Sequence, residues 1–199
     1  FKVILIDSDG QDNPKGIIEM FKKIKKFPEF PIMVNRGQRK EPFWFKFFYE
    51  TYGLFINIFA GKKIRFGNYS LLNYKNLKKI SNNQDLWSAF PPTVSNNIKE
   101  LKYITMDREK RYAGESKMSF LKLIGHALRV FSVLKYRILF FSLIYIFSVY
   151  FFLLNTHFEF FFQYLLFIIF FLNLNNFIIS LFNKKNFDSA FKKIKIKNF

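Results

Sequence analysis

Two aspartates near the beginning of the chain have a spacing that suits a site for a divalent metal ion. Asp7 and Asp9 follow the apolar run of residues 3–6, which is short and bounded by turn residues and so predicts a buried strand. Side chains two residues apart project from the same side of an extended backbone, so the two carboxylates lie together. Such carboxylates repel each other unless a cation lies between them, and Mg²⁺ and Mn²⁺ prefer these oxygen ligands. The alternative interpretation is a solvated turn after a strand.

The residues around this pair predict the elements that hold it. A helix over residues 14–27 can be capped by Asp12 or Asn13. Pro14 suits the first turn of that helix. Residues 31–35 predict a second strand, and a strand–helix–strand unit implies that the two strands pair in parallel. Open α/β sheets bind their ligands at the carboxyl ends of the strands, where both aspartates lie.

Basic residues follow two of the predicted strands. Arg36 and Arg39 come after the second strand, and guanidinium groups can hold a diphosphate through paired hydrogen bonds. A solvated basic turn explains their spacing equally well. After a predicted strand at residues 101–106, two arginines, a serine and a lysine surround a glycine ahead of a helix, which favours an anion site. These four residues are Arg108, Arg111, Ser116 and Lys117.

Three further segments complete this part of the chain. Residues 42–60 predict a helix rich in aromatic residues, which Gly61 would end. Residues 64–72 predict a strand that is broken near Gly67. Residues 82–90 predict a short helix before the strand that leads to the second basic cluster. Alternating strands and helices of this kind indicate an α/β fold.

These motifs resemble those of the family-2 glycosyltransferases, in particular the membrane-bound branch that uses polyprenyl phosphates. That branch shows an apolar strand, Asp-x-Asp-x-Gln-Asp-x-Pro and a helix, and later Arg-x-x-Arg-x-x-Gly-x-Ser-Lys-Met before a membrane-proximal helix. The chain departs from it at Gly10, where Leu is usual, and at Asn13, which replaces a frequent Pro; neither change removes a carboxylate. The matching positions are Asp7, Asp9, Gln11, Asp12, Pro14, Arg108, Arg111, Gly114, Ser116, Lys117 and Met118.

The resemblance implies an inverting transferase with a GT-A type α/β domain, a nucleotide-sugar donor and a polyprenyl-phosphate acceptor. Asp7 and Asp9 would be catalytic residues that hold Mg²⁺ or Mn²⁺. Asp85 is a third catalytic candidate, because many such enzymes place their base in this region. An acid that stabilises a helix dipole is the alternative for Asp85. The implied substrate-binding residues are Gln11, Arg36, Arg39, Asn68, Ser70, Arg108, Arg111, Ser116 and Lys117.

The resemblance also predicts how much of such a domain is present. In that family roughly the first half of the catalytic domain precedes Asp-x-Asp, so we expect residues 1–116 to be its carboxyl-terminal part. The strand at residues 3–6 should then be central in the sheet, with its neighbours on one side supplied by sequence before Phe1. We expect the 199-residue chain alone to lack sugar transfer and to be poorly stable outside a membrane.

The end of the chain predicts membrane segments. Residues 117–137 predict a basic amphipathic helix suited to the lipid headgroup layer, and residues 138–182 predict two spanning helices, at 138–154 and 160–182. Lys and Arg crowd the outer flanks of this hairpin and are absent from its linker. The positive-inside rule therefore places the catalytic part and the basic tail, residues 183–199, in the cytoplasm. Together with the resemblance, this indicates the bacterial inner membrane.

Composition leaves other classes of function open. The 199 residues carry a net charge of +18 and include 31 Phe and no Cys, which excludes disulfides and thiolate metal sites. The charge suits anionic lipids, phosphorylated ligands or nucleic acid, and a Lys- and Phe-rich coding bias explains it as well. A non-catalytic membrane-anchored α/β protein that binds lipid head groups or a partner is the alternative. A nucleic-acid binder fits poorly with spanning helices, so we expect no nucleic-acid partner; homo-oligomerisation stays open.

Overall fold

The computed structural model describes residues 1–37, 43–61, 63–107, 109, 112, 120–153 and 159–197. The chain has a mixed α/β fold, with a four-stranded sheet followed by apolar helices. The strands are β1 (Lys2–Leu5), β2 (Ile32–Arg36), β3 (Phe66–Asn73) and β4 (Lys102–Met106). The helices are α1 (Lys15–Lys26), α2 (Phe43–Ala60), α3 (Tyr74–Ser81), α4 (Phe90–Asn97), α5 (Phe120–Val133), α6 (Lys135–Leu153) and α7 (Glu159–Lys197), with a 3₁₀ helix at Gln84–Trp87.

The sheet is mixed, with the strand order β1-β3-β2-β4. β3 runs antiparallel to both of its neighbours, and β2 runs parallel to β4. The predicted pairing of β1 with β2 is therefore wrong, because β3 occupies the position between them. A crossover helix requires only that two strands of one sheet point the same way, and β1 and β2 do so while leaving room for a third strand. Among the described strands β1 lies at one edge, so the predicted central position is not seen there.

Helices cover both faces of the sheet. Alternation along β2 sends Ile32 and Val34 to the face covered by α1, and Met33 to the opposite face. On that second face, Leu72 of β3 and Val94 of α4 are fully buried. The result is three layers, in which the apolar residues fill both interfaces and the ends of the strands carry the polar residues.

A third apolar cluster joins the sheet region to the later helices. Ile56 and Ala60 of α2 pack with Val133 and Leu134 at the end of α5. α5 and α6 meet at this point with a bend of 82°. The predicted amphipathic helix thus ends in a sharp turn rather than continuing straight into the next apolar helix.

The last helix is longer than predicted. α7 continues into the predicted basic tail, so residues 183–197 are helical, and that segment contains no Gly or Pro that would stop a helix. The Asn173 amide donates to the Ser142 hydroxyl of α6 at 2.9 Å, and the rings of Phe177 and Tyr136 lie 6.1 Å apart. Later residues of α7 thus contact earlier residues of α6, so the two helices are antiparallel where they touch.

Within the described part of the chain, one helix is long and apolar enough to cross a bilayer by itself. This stretch is Phe162–Ala190 of α7, and only 11% of its most apolar window is buried inside the protein. α5 and α6 meet the same requirement only when they are taken together across their bend. Length and composition therefore support one of the two predicted spans, the one in α7.

Candidate functional site

The predicted acidic pair lies on a loop, residues 7–13, that follows β1; we call it the acid loop. The chain turns at residues 8 and 9, so the extended backbone that was predicted to place both carboxylates on one side is not seen there. The loop is held by its own carboxylates. The Asp7 N–H donates to the Asp12 carboxylate at 3.3 Å, and the Gln11 N–H donates to the Asp9 carboxylate at 3.1 Å. Asp7 and Asp9 are both half-buried, so their side chains are held in place and still reach solvent.

The neighbouring strand β3 contributes Asn68 to this site. The Asn68 amide donates to the Asp7 carboxylate at 3.4 Å. Asn68 lies where the pairing of β2 with β3 shifts register; β3 itself continues through Gly67, so the predicted break is an irregularity of pairing and not an interruption of the strand. Ser70 is fully buried, and its hydroxyl donates to the Asn68 carbonyl at 2.9 Å. In this structure Ser70 therefore supports the backbone that carries Asn68 and has no access to solvent.

The second motif begins after β4, and its described residues lie against the acid loop. The Glu109 N–H donates to the Gln11 carbonyl at 3.0 Å, and the Asn13 amide donates to the Glu109 carboxylate at 2.9 Å. The Tyr112 N–H donates to the Asp9 carbonyl at 3.4 Å. Two segments that are 96 positions apart at the Asn13–Glu109 contact thus form one structure.

Sequence reasoning missed Glu109 and Tyr112 as residues of the site. Both lie inside the second motif, at positions that its pattern leaves unspecified. Their contacts are largely made by backbone groups, which any residue carries. A sequence pattern therefore had no signal that could single them out.

A small cleft opens beside the acid loop at the carboxyl ends of β2 and β4. It contains about 270 Å³ of open space, and Asp12, Arg36, Tyr69 and Asp107 are among its lining residues. The guanidinium of Arg36 lies against Gly67, where an added Cβ would be 2.7 Å from Nη2. Glycine at this position therefore admits the arginine, which places the predicted phosphate-binding Arg36 in a cleft next to the acidic pair.

Tyr69 supports the point where the acid loop enters α1. Its hydroxyl donates to the Asn13 carbonyl at 2.9 Å, and its ring lies against Gly16 of the helix. Burial, and then the charge of Asp12, raise the pKa of Tyr69 above its usual value. The phenol therefore stays neutral near physiological pH and keeps the proton that it donates. The Asn13 side chain also accepts the Lys15 N–H at 2.9 Å, which satisfies one donor at the helix start.

Asp85, the third predicted catalytic residue, contacts the later helices instead of the acid loop. Lys135 Nζ lies 3.5 Å from its carboxylate, and the two side chains are 6% and 22% exposed. Ser88 accepts a hydrogen bond from the Asn183 amide at 2.6 Å and lies 3.5 Å from the Ser132 hydroxyl. We call these five residues the polar joint. They connect the 3₁₀ helix and the residue after it to α5, α6 and α7.

The other predicted substrate-binding residues lie outside the described part of the chain. They are Arg39, Arg108, Arg111, Ser116 and Lys117. The structure does describe three residues next to Arg108 and Arg111, namely Asp107, Glu109 and Tyr112. Of these, Glu109 and Tyr112 bond to the acid loop.

The donor set at the acid loop suits a divalent ion that shares its coordination with a ligand. Asp7 and Asp9 offer carboxylate oxygens, while no group of three or more His, Cys, Asp or Glu side chains suited to a metal occurs among the described residues. Mg²⁺ commonly uses one or two carboxylates and takes its other ligands from phosphates and water. Among the described residues, Asp7 and Asp9 would therefore supply part of the coordination of Mg²⁺ or Mn²⁺, and oxygens of a phosphorylated ligand and of water would supply the rest.

Comparison with protein-family models gives no match, and comparison with curated proteins gives no significant match. Function therefore has to be inferred from the site itself. Three observations bear on it: acids after the end of a strand, an arginine in the adjoining cleft, and an apolar helix with the length and composition to cross a bilayer.

Proposed function

We propose that this protein is an inverting glycosyltransferase of the family-2 type, with a GT-A type domain. It moves a sugar from a nucleotide-sugar donor to a polyprenyl-phosphate acceptor at a membrane. The observation that carries the proposal is the contact between the two motifs, in which Glu109 and Tyr112 bond to the acid loop next to the cleft of Arg36. The acid loop, Arg36 and the described residues of the second motif thereby lie next to one another, which supports the proposal.

The acid loop has the chemistry to hold the diphosphate end of the donor. Asp7 and Asp9 would hold Mg²⁺ or Mn²⁺, and an ion bound there neutralises the charge of the departing nucleoside diphosphate. The protein orients the two carboxylates through the Asn68 amide and the Gln11 N–H. A carboxylate fixed in this way loses little conformational entropy when a ligand binds.

Arg36 supplies positive charge in the cleft beside the acid loop. Its guanidinium lines the cleft together with Asp12 and Asp107. A guanidinium presents a planar set of donors that matches two oxygens of a phosphate. Arg36 therefore shares the charge of the diphosphate or holds the acceptor phosphate.

The acceptor needs little help from a general base. A phosphate monoester loses its second proton with a pKa of about 6, so it is largely ionised near neutral pH and is already a nucleophile. Asp85 is therefore not required as a base. Its contact with Lys135 indicates a structural role instead, in which Asp85 holds together the helices that the polar joint connects.

The apolar helices would bring the protein to its lipid acceptor. α7 has the length and composition of a spanning helix, and α6 runs antiparallel to it. We propose that α6 and α7 form a transmembrane hairpin in the bacterial inner membrane, with the α/β part in the cytoplasm. α2 adds exposed apolar side chains, Leu54, Phe55 and Ile58, next to the helices that it packs against.

A transfer assay tests the proposal. The complete gene product, in vesicles that contain polyprenyl phosphate, is given labelled UDP-glucose or GDP-mannose with Mn²⁺. We expect label in the lipid fraction, and we expect a chelator to abolish it. The proposal is contradicted if a panel of nucleotide sugars gives neither lipid-linked sugar nor Mn²⁺-dependent donor binding.

The lining of the cleft supports one alternative. Arg36 lines it together with Asp12 and Asp107. A guanidinium binds a phosphate group through paired hydrogen bonds whether or not the phosphate belongs to a nucleotide. A non-catalytic membrane protein that binds lipid head groups would use it in this way. Binding of anionic lipid in the same vesicles without any sugar transfer would support that alternative.

The proposed hairpin predicts a topology that reporters can measure. A reporter inserted at Thr156 should be extracytoplasmic, and one fused after Phe199 should be cytoplasmic, because Lys and Arg flank the pair on its outer sides and are absent between the two apolar runs. The fusion after Phe199 serves as the control for expression and folding. If both reporters are found on the same side, the hairpin is wrong.

A further inference from the structure

We infer that Tyr112 provides the surface on which the sugar ring of the donor stacks; this inference rests on the proposed function. Tyr112 is the described residue of the second motif that combines two properties. Its backbone is bonded to the acid loop through the Asp9 carbonyl, and its side chain is 80% exposed. An aromatic ring that is anchored on one side and open on the other can receive a ligand.

The Tyr112 ring packs against Gly10 of the acid loop. Gly10 is buried and has a φ of +77°, a left-handed backbone conformation that glycine adopts at low cost. An added Cβ at Gly10 would overlap the atoms of the Tyr112 ring. The absence of a side chain at this position is therefore what allows the ring to lie on the acid loop.

The position of the ring selects the part of the donor that it meets. The acid loop is where the diphosphate is proposed to bind, and Tyr112 is bonded to Asp9 of that loop. In a nucleotide sugar, the sugar ring is bonded directly to the terminal phosphate, whereas the ribose separates the base from the other phosphate. Of the two groups that stack on aromatic rings, the sugar and the base, the sugar is therefore the one nearer to the diphosphate. Its C–H face is apolar, and an aromatic ring that covers it removes apolar surface from water.

Donor binding tests the inference without relying on turnover. Affinities of the complete gene product for UDP-glucose, GDP-mannose, UDP and GDP are measured by calorimetry in the presence of Mn²⁺. For the nucleotide sugar that the unmodified protein binds, we expect Tyr112→Ala to weaken affinity by about tenfold and to leave the matching diphosphate within about twofold. Tyr112→Phe should retain the affinity of the unmodified protein, because the ring and not the hydroxyl makes the contact.

Gly10→Ala tests the packing of the ring on this glycine. It should weaken nucleotide-sugar affinity at least as much as Tyr112→Ala does, and it should weaken diphosphate affinity as well, because alanine is strained at a φ of +77° and this backbone belongs to the acid loop. Tyr74→Ala is the matched control, because Tyr74 is 58% exposed and is bonded to Phe1 at the opposite end of β1. If Tyr112→Ala weakens the affinities for nucleotide sugar and for diphosphate equally, or weakens neither, the role of Tyr112 is overturned and the proposed function stands. Failure of the unmodified protein to bind any donor overturns both.

Discussion

Replacement of both aspartates, Asp7→Asn with Asp9→Asn, should lower the proposed sugar transfer by at least about a thousandfold and leave the protein folded. Asparagine keeps an oxygen that can accept the Gln11 N–H, but it removes the negative charge that a divalent ion requires. Both side chains are half-buried and reach solvent, so the free energy of unfolding changes little. The transfer rate, the Mn²⁺ affinity and the circular dichroism of the complete gene product measure these consequences separately.

Glu19→Gln is the matched control for this result. Glu19 lies on the exposed face of α1, where it pairs with Lys22 at 2.8 Å, and the change removes one negative charge away from the acid loop. Transfer and Mn²⁺ affinity should be unchanged in this variant. Mn²⁺-dependent transfer that persists in the double aspartate variant would show that the metal binds elsewhere.

Asp85→Asn lowers the free energy of unfolding by about 3 kcal/mol, since it leaves the charge of a buried lysine without its carboxylate. The side chain of Lys135 is only 6% exposed and lies 3.5 Å from Asp85. Lys135→Met alone should cost less, because the Asp85 side chain retains 22% exposure to water. The double variant should recover most of the loss, since it removes both charges together. Unfolding of the complete gene product in detergent micelles, followed by circular dichroism, measures all three variants.

The same variants separate a structural role of Asp85 from a catalytic one. If Asp85 acts only through Lys135, the double variant regains both stability and sugar transfer. If Asp85 is also the base, the double variant regains stability but not transfer. Glu29→Gln, which breaks an exposed ion pair with Lys75, is the control and should change stability by less than about 0.5 kcal/mol. An Asp85→Asn protein as stable as the unmodified one would contradict the polar joint.

The sequence by itself determined the features that depend on near neighbours. Most of the apolar run before Asp7 forms a strand, and the helix after it begins within one residue of the predicted start. The predicted burial of that strand is wrong, because Val3, Ile4 and Leu5 are half-buried at the edge of the sheet and Ile6 is exposed beyond the strand. α2 ends at Ala60, and the φ of +67° at the next residue, Gly61, and its N–H bond to the Ile58 carbonyl are those of a helix-ending glycine. β3 is irregular in its pairing near Gly67, where a break was predicted. Each of these local features follows from backbone preferences and hydrogen bonds within a few residues, so a local pattern is sufficient to indicate it.

Only the tertiary structure decided which segments meet. It inserted β3 between two strands that a local pattern had paired, and it placed Tyr112 on Gly10. It also joined Asp85 to Lys135, 50 positions later in the chain. Such contacts depend on the sheet order and on how the whole set of apolar faces is buried at once. The sequence therefore indicated which residues could do chemistry, and packing decided which of them share a site.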